Sequence, residues 1–145
     1  MPDTTSAPTP AAVAGRPLIR SWRRALGYGF LLWLFPFIVA FALSSIRQSN
    51  RPLFESIMPI VLAVCTMLAL KLYLRRGAAP AFGEGLLLGL IWMAVSLLFD
   101  WPMFSAGPMK MTLGGYMSDI GAAYLLFPVL TVGAGFLLRG TKGDM

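Results

Sequence analysis

The chain has 145 residues, 57% of them hydrophobic and only 12% charged, with a mean hydropathy of +0.73. Soluble domains carry about a quarter of their residues as charges, so a soluble fold of this size would leave its apolar surface uncovered; lipid must solvate most of the chain. The formal charge of +6 does not imply nucleic acid, because the basic residues sit in short clusters beside apolar runs and form no continuous basic face.

There is no histidine. That removes the commonest metal ligand, the usual haem axial ligand and the usual general base at neutral pH. Cys65 is the single cysteine, so an intrachain disulfide is impossible.

Residues 1–17 are rich in Pro, Ala and Thr and hold too little apolar surface to offset ordering entropy, which predicts a disordered tail. Residues 18–145 read as a membrane domain. Arg16, Arg20, Arg23 and Arg24 with Trp22 form a basic interfacial segment suited to anionic headgroups. Residues 25–46 are then free of charge and, at 1.5 Å per residue, cover roughly 33 Å, enough for a first span. Pro36 near its middle predicts a kink. A rival reading makes this stretch a signal peptide ending at Ala40-Phe41-Ala42. Against it stand the long tail before the basic cluster and the apolar run that continues past that site.

Residues 47–52 are expected to form a polar turn and residues 53–74 a second span, with Pro59 as another kink. Glu55 is expected in the first turn of that helix, where a carboxylate complements the dipole. A third span is expected over residues 83–104, opened by Glu84, and a fourth over residues 117–138, with Asp119 in its first turn and Pro128 near its centre. Gly85 and Gly89 make a G-x-x-x-G, a pattern that lets helices approach closely, here inside the bundle rather than at a dimer seam.

Orientation follows from the cations. The tail (Arg16, Arg20, Arg23, Arg24), the second loop (Lys71, Arg75, Arg76) and the C-terminal end (Arg139, Lys142) hold nine, whereas the first and third loops hold three: Arg47, Arg51 and Lys110. The asymmetry alternates with every span and predicts that both termini are cytoplasmic, in the cell membrane.

Between the third and fourth spans lies the segment that differs most from an ordinary linker. Asp100, Lys110 and Asp119 are its candidate ion or anchor site. Asp100 sits inside the last turn of its helix, where negative charge is disfavoured, and a carboxylate at that depth needs a partner or a function. The bland reading is an anchor to Lys110 or Arg51; the sharper one is a proton or cation site. Met103, Met109, Met111 and Met117 gather in the same segment, and Met109 and Met111 are weak candidates for Cu(I). Thioethers also fill apolar gaps without any ligand, so no metal is expected. Trp92, Trp101, Phe104, Tyr116 and Tyr124 form an aromatic group in which Trp101 and Tyr116 fit an interfacial belt and Trp92 fits core packing.

No phosphate loop, nucleophile elbow, zinc-protease motif or CxxC pair is present. The expectation is an all-α integral membrane protein: four transmembrane helices in an antiparallel up-and-down bundle, with no cofactor and no enzymatic activity. Its partners would be the bilayer and either further copies of itself or a larger membrane protein, without nucleic acid. The leading function is that of a non-enzymatic accessory or self-associating structural subunit. The alternative is a small transporter or channel subunit that uses Asp100 and Asp119 to bind a proton or cation.

Overall fold

The computed structural model describes residues 19, 21–75, 82–106 and 110–140. The tail expected over residues 1–17 and the copper candidate Met109 lie outside them. Among the described residues all regular structure is helical: α1 (Trp22–Ala42), α2 (Ser44–Ser49), α3 (Arg51–Leu74), α4 (Phe82–Ser105), α5 (Leu113–Asp119), a 3₁₀ helix (Gly121–Leu125) and α6 (Leu126–Gly140). Helices α1, α3 and α4 are each long and apolar enough to cross a membrane. A fourth candidate exists if α5 and the helix after it, bent by 53°, count as one span.

The helix boundaries follow from local chemistry. Asn50 caps α3 by accepting the Leu53 N–H at 3.2 Å, and Pro52 occupies the second helical position, where an N–H would have no partner. The expected polar turn is therefore largely helical, consisting of α2 and this cap. Because α3 begins at Arg51, Glu55 lies beyond its first turn. It accepts from the Arg51 guanidinium at 2.6 Å, one turn away, rather than complementing the dipole.

Helix α4 is the hub. Its buried positions, Gly85, Leu88, Gly89, Trp92, Ser96 and Asp100, recur every three or four residues and form one stripe. That stripe packs against α1 and α6, which in turn both meet α3. Gly85 and Gly89 face α6 of the same chain: a Cβ at Gly89 would collide with Pro128 Cα, and one at Gly85 would lie 2.9 Å from the Thr131 carbonyl oxygen. Only glycine permits that approach. Trp92 and Phe127 are fully buried beside it, edge to face at 6.5 Å, and the Trp92 indole donates to the Ala25 carbonyl at 2.9 Å. Elsewhere large apolar side chains point outward: Phe35, Phe41, Ile60 and Leu98 are 61–70% exposed, as lipid-facing residues are.

The last segment departs from expectation. Helix starts at Leu113, where Thr112 accepts the Gly115 N–H at 3.2 Å, and breaks after Asp119. Pro128 is near the start of α6, not at the centre of a continuous span. Lacking an N–H and crowding the carbonyl four residues back, it is best accommodated in a first helical turn, and the bend falls ahead of it. Asp119 consequently ends α5 instead of opening a span.

Candidate functional site

Two carboxylates organise one end of the molecule, where α1 leads into α2 and α4 leads towards α5. Asp100 is the deeper, only 4% exposed. One of its oxygens accepts from the Trp33 indole at 2.7 Å. The other accepts from the Tyr116 and Tyr124 hydroxyls, each at 2.7 Å. The donors come from α1, α5 and the 3₁₀ helix, so a single carboxylate on α4 ties four elements together.

Aromatic packing holds the donors in place. Trp33 stacks on Phe37 at 5.3 Å and on Phe99 at 5.0 Å. The Tyr116 ring packs on Phe104 at 4.9 Å, and Tyr124 stacks on Phe127 at 5.5 Å. Each ring brings a polar tip on an apolar body, which is how a donor reaches such depth without a charge of its own. No described cation pairs with Asp100.

Asp119 has the opposite environment. Its oxygens accept from Arg47 of α2 at 3.0 Å and Arg51 of α3 at 2.9 Å, and its side chain is 13% exposed. Arg51 also holds Glu55, and the Arg47 guanidinium lies 5.6 Å from the centre of the Phe54 ring. These two arginines offset the charge of a carboxylate at a helix C-terminus, where the dipole disfavours it.

Between α1 and α3 this end encloses a partly open cavity of about 140 Å³. Its walls include the rings of Trp33, Phe37, Phe41, Phe54, Phe104 and Tyr124, and its polar lining includes Asp100, Asp119, Glu55 and Arg47. A second cleft of about 270 Å³, lined by Trp101, Met111 and Tyr116, also touches Asp100 and Phe104. Asp100 thus borders both spaces.

The three residues expected to form an ion or anchor site do not converge. Asp100 and Asp119 sit at separate nodes, and Lys110 is exposed and makes no ion pair among the described residues. The anticipated partners of Asp100, Lys110 or Arg51, are replaced by an indole and two phenols, while Arg51 serves Asp119 and Glu55. Trp33 and Tyr124 carry no local sequence signal beyond their place in apolar runs, and Tyr116 is masked by the interfacial belt that also explains tyrosines. Met111 lines the second cleft, and no group of three His, Cys, Asp or Glu side chains that could hold a metal exists among the described residues. Set against protein-family models, curated proteins and solved structures, the chain matches none of them.

Proposed function

We propose that the protein crosses the membrane four times with both termini cytoplasmic, and that it works as a non-enzymatic accessory or self-associating subunit. The nine-to-three distribution of cations supports the orientation, which puts the Asp100 and Asp119 nodes at the outer end. The observation that carries the functional reading is the closure of the Asp100 site. Three donors from its own chain occupy the carboxylate, and the sequence supplies no nucleophile or cofactor motif beside it. A group so committed ties helices together.

One observation favours the transporter reading: Asp100 is buried, has no cation opposite it among the described residues, and borders a cavity. Proton and cation flux in proteoliposomes separates the two, comparing wild type with Asp100→Asn. The accessory reading expects no flux above empty liposomes. A robust flux that disappears in the asparagine variant would overturn it, because the amide cannot ionise. The topology has its own check in a Cys65→Ser background. Cysteines at Ser49 and Ser105 should label from outside and one at Ala79 should not; outside labelling at Ala79 defeats the four-span arrangement.

A further inference from the structure

We infer that the cavity between α1 and α3 binds an organic ammonium ion carrying apolar substituents, with Asp100 as its counter-charge. The inference needs neither the accessory nor the transporter reading, since a cation can be held without being moved.

Charge is the first argument. Glu55 and Asp119 are matched by Arg51 and Arg47, so that rim network is balanced within itself. Asp100 is left over: it is buried, lines the cavity and has only neutral partners among the described residues. Neutral donors solvate a carboxylate, but they leave its charge uncancelled in apolar surroundings, where an isolated charge is expensive.

The hydrogen bonds then select the kind of cation. A carboxylate offers about four lone-pair sites, and three donors already take three of them. A metal ion needs free oxygens, and the described residues supply no cluster of ligands for one. A primary ammonium brings three N–H groups that each want an acceptor. A quaternary or tertiary ammonium asks for negative potential and almost no hydrogen bonds. Asp100 supplies that potential with its oxygens already engaged.

The walls agree. Aromatic rings attract cations through their quadrupoles, and the lining includes Phe41, Phe104 and the Trp33–Phe37 stack. Phe54, on the same wall, already carries the Arg47 guanidinium at its rim. Size is suitable as well: the volume of about 140 Å³ is close to the roughly 150 Å³ cavity that admits benzene. A compact trialkylammonium head, of about the bulk of benzene, would fill it beside Asp100, and the open side leaves a larger substituent room to project.

The test uses the full chain in nanodiscs, titrated by calorimetry with benzyltrimethylammonium. Neopentylbenzene, which has the same shape with carbon in place of the charged nitrogen, serves as the neutral control. Wild type should bind the cation saturably, one per chain, and at least tenfold more tightly than the neutral compound. Asp100→Asn should weaken cation binding at least tenfold. Ala40→Leu fills the cavity while leaving Asp100 intact, so it should abolish binding even if the asparagine variant fails to fold. Absence of saturable binding by wild type in phosphatidylglycerol discs overturns the inference, as does a neutral control or Ala40→Leu variant that binds equally well there. Discs of phosphatidylcholine and of phosphatidylglycerol distinguish the source of the ammonium. Competition in the choline discs alone identifies a lipid headgroup, and equal affinity, after subtracting the signal of Asp100→Asn, identifies a free amine. Binding without flux keeps the site and removes the transporter reading.

Discussion

Asp100 and Asp119 lie at the same end of the molecule and solve the same problem in opposite ways. Among the described residues Asp119 is held by two guanidiniums and no neutral donor, and Asp100 by three neutral donors and no guanidinium. Depth accounts for the difference. Arginine brings a long stem that lets its head stay near water, which suits Asp119 at the rim. Farther in, a second ion would add its own desolvation cost to that of the carboxylate. A ring with a polar tip adds much less, because most of it belongs in an apolar core. Polar satisfaction at depth therefore comes from indole and phenol, and satisfaction at the rim from charge.

Asp100→Leu puts the largest strain on that comparison. It would leave the Trp33 indole and the Tyr116 and Tyr124 hydroxyls without their acceptor. Each orphaned buried donor costs about 1–3 kcal/mol. Some will rotate towards the cavity, so the expected net loss is about 3–5 kcal/mol of unfolding free energy, read by denaturant titration in mild detergent. Because the donors come from three elements, the loss should appear as one cooperative shift. A leucine variant as stable as wild type would show that the cage contributes nothing to holding the helices together.

The same contrast explains what could be read from the chain. Long charge-free runs dictate α1, α3 and α4, because hydrocarbon tolerates little else, and residues 53–74 and 83–104 differ from α3 and α4 by only a residue or two at each end. The final segment was harder. The sequence places Pro128 near the centre of a continuous span, whereas helix breaks after Asp119 and Pro128 falls in the first turn of α6, close against Gly89 of α4. Asp100 was legible as an anomaly, an acid deep in the last turn of an apolar helix. Its partners were not. Trp33 lies 67 positions away in sequence, and charge intuition pointed to Lys110 or Arg51, the nearby cations. Nothing local shows that Tyr116, placed as a belt residue, and Tyr124 both turn towards Asp100 instead.

Tyr124→Phe sharpens the comparison by removing one donor and little else. The ring keeps its volume and its stack on Phe127, and Asp100 keeps Trp33 and Tyr116. A hydrogen bond to a charged group contributes about 1.5–3 kcal/mol, so the loss should fall in that range and below that of Asp100→Leu. Combined with Asp100→Leu, the tyrosine change should cost almost nothing further, because the phenylalanine no longer presents an unpartnered hydroxyl. Strict additivity of the two changes would place the hydroxyl's contribution somewhere other than Asp100.

Asp119→Asn should have the smallest effect, and salt is what separates the two nodes. Exposed and half-exposed ion pairs contribute about 0–1 kcal/mol, and the aspartate ends α5, where its charge opposes the helix dipole by roughly 0.3–1 kcal/mol. Neutralising it therefore loses the attraction of Arg47 and Arg51 and relieves the dipole at once, for a net loss of about 1 kcal/mol at low salt. At 1 M salt the screening length falls to about 3 Å, and the remaining difference from wild type should vanish. The Tyr124→Phe loss should stay constant over the same range, since a buried neutral donor on a buried carboxylate is out of reach of mobile ions. Matched salt titrations of the two variants in one detergent make the measurement. Should the asparagine variant's deficit persist undiminished at high salt, Asp119 would have to be held by shape and hydrogen bonding, as Asp100 is, and the division between a charged rim and a neutral depth would fail.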